Sequence, residues 1–142
     1  MGQAQVREKG QRSLTDALGS VSIDSDGDFF VRFGSTVVFV HVEGIDEEAT
    51  MIESFAIVLD DVKLTPEVYR WAATEGQRYR FGRAAVVEGD AGVGRILANH
   101  TLLGDFLDPE ELKWAVIATG RLADDLDDEL QGRFGGKKFG AD

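Results

Sequence analysis

The chain has two histidines, His41 and His100, and no cysteine. Acid–base or metal chemistry near neutral pH would therefore run through these two rings or through carboxylates. Neither histidine has a second His or a Cys at ligand spacing, and His41 sits in a run that alternates like a strand. That pattern reads as a surface histidine. Gly89-Asp90-Ala91-Gly92-Val93-Gly94-Arg95-Ile96 has the glycine density of a phosphate loop. Such a loop needs Lys and then Ser or Thr for phosphate and Mg²⁺, followed by a helix N-terminus. Arg95 and Ile96 stand there instead, and the residues beyond alternate like a strand. Asp24-x-Asp26-x-Asp28 opens like a calcium loop. Phe29 takes the sixth position, where Gly makes the bend, and Ser35 the twelfth, where a bidentate Glu belongs. Both strings read as turns. Asp124, Asp125, Asp127 and Asp128 spread around a helix rather than converge, and read as a solvated face. With no nucleophile–base signature, the residues point to no catalytic centre, no cofactor and no metal site.

A different residue set stands out once strands are assigned. Phe29–Phe33 and Thr36–Val42 alternate and meet at Gly34-Ser35, a two-residue loop with Gly first, the signature of a type II′ hairpin. Closing there puts Phe30 opposite Phe39 and Arg32 opposite Val37. Period 2 then sorts the side chains. Phe29, Val31, Phe33, Val38, Val40 and Val42 make a core face. Phe30, Arg32, Val37, Phe39 and His41 make the other, which mixes charge with two cross-strand phenylalanines. That second face is the candidate partner-binding or dimer surface, because polar residues would serve an idle face better.

The remaining elements follow from pattern and punctuation. Ser13–Leu18 is a short helical candidate, with Gly10 weakening an earlier start. Asp24–Asp28 is a turn in which the aspartates bond their own backbone. Met51–Leu59 is a strand with both sides apolar or small. Thr65 and Pro66 cap and open a helix whose stripe runs through Val68, Trp71, Ala72, Glu75 and Tyr79 to a stop at Gly82. Ala84–Glu88 and Val93–Thr101 form a second hairpin. Asp108 and Pro109 open the last helix, with Leu112, Val116, Thr119, Ala123, Leu126 and Leu130 as its buried stripe. The expected fold is α+β: one antiparallel five-stranded sheet with helices on one face, in the order α-β-β-β-α-β-β-α. Residues 1–12 read as a flexible N-terminus, 13–131 as a single domain and 132–142 as a flexible Gly-rich tail.

Composition narrows the function classes. At 142 residues with 43% hydrophobic content, the chain can bury one real core. Its net charge of −11 opposes binding to nucleic acid or anionic membrane. Nine acids against Lys113 and Arg121 between Asp105 and Leu130 supply most of it. No apolar run opens the chain as a signal would, and none approaches the roughly 20 residues of a membrane span. A cytoplasmic protein is expected.

Four strings carry a family resemblance: Tyr79-Arg80-Phe81-Gly82-Arg83, Asp26-Gly27-Asp28, Leu107-Asp108-Pro109-Glu110-Glu111-Leu112 and Arg133-Phe134-Gly135-Gly136. Together, over about residues 13–136, the chain resembles the YbjN-type family of bacterial proteins in its actinobacterial form. Trp71-Ala72-Ala73-Thr74-Glu75-Gly76 departs from the Asn-rich positions common in that family's second helix. The resemblance implies the type III secretion chaperone-like fold, and a family described as sensory-transduction regulators. It also implies a non-enzymatic, chaperone-like or regulatory module, a homodimer, that binds a segment of a protein partner. The acidic balance suits a basic or amphipathic segment. The alternative is a small-molecule-sensing regulator that uses a groove between sheet and helices.

Overall fold

The Gly34-Ser35 hairpin forms in the expected register. In the computed structural model, which describes residues 2–139, Phe29 pairs with Val40, Phe30 with Phe39, Val31 with Val38, Arg32 with Val37 and Phe33 with Thr36. Gly34 takes φ +56 while Ser35 stays out of the left-handed region, as a II′ turn requires. The two strands are β2 (Phe29–Phe33) and β3 (Thr36–Gly44). Before them, Ser22–Ile23 pairs with β2 as a two-residue strand, β1. β4 (Thr50–Lys63), β5 (Arg83–Glu88) and β6 (Val93–Leu103) complete an antiparallel sheet in the order β1-β2-β3-β4-β6-β5. The sheet thus has six strands rather than the expected five. The Asp24 turn folds the chain back tightly enough for Ile23 to reach Phe29, with Asp24 Oδ1 accepting from the Asp26 and Asp28 N–H groups.

The helices are α1 (Gln3–Leu18), α2 (Pro66–Thr74) and α3 (Pro109–Phe134). Their apolar sides close over one sheet face. Phe29, Val38, Val40, Ile52, Ala56, Val58 and Ile96 from the sheet meet Val6 and Leu14 of α1, Val68 and Trp71 of α2, and Leu112, Val116, Ala123, Leu126 and Leu130 of α3 in one buried cluster. Asp108 caps α3 by accepting from the N–H groups of Glu110 and Glu111, and the expected stripe of that helix is buried along its length. Thr65 caps α2.

Three helix boundaries differ from the sequence reading, and β4 runs four residues past the expected end at Leu59. The first helix starts at Gln3, ten residues before Ser13, and residues 3–12 belong to it. Gly10 is not a weak point there. It is buried, and a Cβ on it would lie 3.3 Å from the Ile52 side chain, so its small size admits α1 to the sheet. α2 stops at Thr74 rather than near Gly82, because Gly76 N–H turns back to the Trp71 carbonyl and the Gly76 carbonyl then accepts from Ala84 N–H at the start of β5. α3 continues through residues 132–134, where a loose tail was expected. Met1 and residues 140–142 of the expected flexible ends lie outside the described residues.

Candidate functional site

The face of the sheet turned away from the helices carries all five residues singled out from the sequence. Phe30, Val37, Phe39 and His41 are half-buried and Arg32 is exposed. Phe30 and Phe39 lie across the strand pair with ring centroids 6.1 Å apart. Phe39 also stacks on Phe55 of β4, at 5.3 Å and 20° between planes. Alternation on β4 sends Ser54, Ala56 and Val58 to the core and Met51, Glu53, Phe55 and Ile57 outward. Phe55 was missed from sequence because both sides of that strand read as apolar, which left its facing open.

His41 is not free on this surface. Its Nδ1 lies 2.6 Å from Asp28 Oδ1, a hydrogen bond the carboxylate accepts, and its Nε2 is 3.9 Å from Glu43. Both ring nitrogens face carboxylates, and the Asp28 bond fixes the imidazole at the edge of the face. On the β6–β5 side the same surface turns polar. Arg83 Nε donates to Asn99 Oδ1 at 3.3 Å, and Asn99 Nδ2 donates to Glu53 Oε2 at 2.8 Å. The face therefore has an aromatic half on β2–β4 and a hydrogen-bonded polar half on β4–β6–β5.

A fourth aromatic joins the first half from the end of the chain. Phe139 sets its ring edge against Phe39, at 5.9 Å and 69°. The backbone leading there is tied down at Lys137, which exchanges two hydrogen bonds with Asp60 of β4, 2.7 and 2.8 Å long. Lys138 Nζ bonds the Asp128 carboxylate and lies 3.9 Å from Asp127, and the Asp128 bond raises the lysine pKa above its ordinary value. Asp60 is held below the ordinary carboxylate range chiefly by the Arg95 guanidinium, which donates to both its oxygens. Asp127 is itself buried, and burial pushes its carboxyl pKa up. The sequence reading placed this acid on a solvated face.

The remaining candidates behave as turns. Asp90–Gly92 is a single 3₁₀ turn with Ala91 and Gly92 at positive φ, and among the described residues no group of three or more His, Asp or Glu side chains converges to hold a metal. The space between sheet and helices, expected to be a groove in the small-molecule alternative, is filled by the core cluster. Hollows of about 480 and 420 Å³ open instead at the rim. One lies beside Arg80, Arg83 and His100, the other beside Asp60, Glu88 and Arg95. No helix among the described residues is long and apolar enough to cross a membrane.

Comparison with solved structures finds this architecture in a type III secretion chaperone and in two further proteins. The Yersinia pestis type III secretion chaperone SycH, solved with a stable fragment of YscM2, superposes with a TM-score of 0.57 at 14% identity, over 84% of this chain and 98% of that one. The structure of the ExsC–ExsE complex gives 0.57 at 18%, over 86% and 93%. YbjN from E. coli gives 0.58 at 10%, over 89% and 93%. At these identities the likeness is one of fold. A comparison with curated protein sequences finds no match. The sequence does match one family over residues 4–142, nearly its whole length, and the chain belongs to that family: TY-Chap1, the T3SS (YopN, CesT) and YbjN peptide-binding chaperone 1.

Proposed function

We propose that the protein is a non-enzymatic, chaperone-like module that holds a segment of a partner protein against the outer sheet face. Phe30, Arg32, Val37, Phe39 and His41 supply the contact surface, and Phe55 joins them. The observation that carries this reading is the aromatic half of that face. Three phenylalanines cluster on the side of the sheet that no helix covers. Aromatic anchors beside an arginine are the composition of an interface centre. Membership of a peptide-binding chaperone family supports a protein segment as the occupant. The net charge of −11 favours a basic or amphipathic one.

The working unit in this reading is a homodimer. The sheet ends on β5, whose outer edge has no strand partner among the described residues, and Val87 on it is exposed.

Pull-down from the native cytosol tests the proposal, with wild type and a Phe30→Ser/Phe39→Ser variant as baits. Circular dichroism checks the fold and light scattering the oligomeric state. The variant folds and loses the captured partner. A folded variant that keeps its oligomeric state and every partner removes this surface from the account.

A further inference from the structure

The segment after α3 behaves as an occupant of the proposed surface. Gly135 and Gly136 take φ of +73 and +85 and turn the chain off the helix onto β4. A Cβ on Gly136 would lie 2.6 Å from the Asp60 carbonyl oxygen, so only glycine admits the backbone this close. β3 pairs with β4 from Gly44↔Thr50 to Val38↔Ala56, which leaves β4 open on that side around Asp60. Lys137 fills the opening as a one-residue antiparallel strand. The next two side chains then part to opposite sides, as in any extended chain. Lys138 goes to Asp127 and Asp128 of α3, and Phe139 to the ring of Phe39.

Backbone edge, acid pair and aromatic ring thus form three contiguous subsites, and four consecutive residues fill all three. We propose that Gly136–Phe139 is an intramolecular stand-in for the partner. The surface then selects extended segments in which a basic residue precedes an aromatic one, and an incoming segment must displace the strap to bind. This inference rests on the sheet-face reading above and adds the chemistry of the occupant to it. The strap's contacts are individually weak, one of them to the exposed Asp128. Its hold comes from being tethered, at the high effective concentration of a short intramolecular link. A longer free segment that reaches all three subsites and the rest of the face can therefore replace it.

Fluorescence anisotropy tests this with a labelled peptide, Gly-Gly-Lys-Lys-Phe-Gly-Ala-Asp, the sequence of residues 135–142. The receptors are the full-length wild type and full-length Gly136→Val/Phe139→Ser, with Phe139→Ser alone as the milder opening. The opened chains bind the peptide about tenfold or more tightly than wild type does. A peptide with Ser in place of its Phe, or Glu in place of its second Lys, loses that binding. Equal affinity for opened and wild-type chains overturns the inference, as does binding indifferent to the peptide's Phe. A change from dimer to monomer on opening, seen by light scattering, also overturns it, because the strap would then reach a second copy. Partner capture that still depends on Phe30 and Phe39 alongside any of these results removes the strap and leaves the sheet-face reading standing.

Discussion

The hydroxyls of Ser54 and Thr119 meet 2.8 Å apart at the centre of the helix–sheet interface, both buried. Thr119 also donates to the Ala115 carbonyl at 2.8 Å, whereas the other bonds of Ser54 are long, 3.4 Å to the carbonyls of His100 and Ala115. Thr119→Val therefore strands the serine more than Ser54→Ala strands the threonine. The expected cost is about 1–3 kcal/mol for Thr119→Val and less for Ser54→Ala. The double variant should cost less than the sum of the two, because no hydroxyl is left alone. Denaturant midpoints of the four proteins check this.

Asp108 accepts two N–H groups at the start of α3, and Leu126 lies buried toward its other end. Asp108→Ala should cost about 1 kcal/mol. Leu126→Ala should cost about 2–5 kcal/mol. Equal shifts in the two midpoints would mean that the far end of α3 contributes little to the core.

Gly120 brings α3 against the hairpin. A Cβ there would lie 3.1 Å from the Phe33 ring and 3.2 Å from Val38. Gly120→Val should destabilise by about 1–3 kcal/mol through overpacking, despite removing a glycine from a helix interior. A higher melting temperature for this variant would contradict the close packing.

Asp127 and Asp60 should shape the acid limb of stability in opposite directions. Burial raises the Asp127 pKa above 3.8, so the folded state holds its proton more firmly than the unfolded one. Its contribution is present below 3.8 and is lost as pH rises through the folded pKa. Asp60 is lowered, mainly by Arg95, so its contribution is present above 3.8 and is lost as pH falls through the folded pKa. Asp127→Asn should therefore flatten the decline in stability above 3.8, and Asp60→Asn should flatten the loss below it. Urea midpoints measured across both windows check the signs.

What the sequence disclosed follows physical locality. The β2–β3 register was legible because one Gly-first loop joins two strands of strict alternation, and a one-residue slip would have exchanged Phe29 for Phe30 on the core face. The caps of α2 and α3 were legible because Thr65-Pro66 and Asp108-Pro109 act within a single turn of chain. Gly10 and Asp127 were misread because their roles are tertiary: the first clears space for Ile52, and the second is buried in the fold with Lys138 3.9 Å away. The strap was invisible for the same reason. Gly135-Gly136 reads as looseness until Asp60, far back in β4, offers the edge it docks on. Of the candidate surface, Phe30 and Phe39 were found through hairpin pairing, while Phe55 required knowing which side of β4 the helices cover.

The proposed capture of a partner segment by the outer aromatic face is open to a binding measurement. Isothermal titration tests it most directly, using the segment recovered by pull-down against wild type, Phe30→Ser/Phe39→Ser and Trp114→Ser. Trp114 is exposed on α3, away from this face, and so serves as the control. The account predicts affinity weakened about tenfold or more in the double variant and unchanged in Trp114→Ser. Equal affinity in wild type and the folded double variant would contradict it.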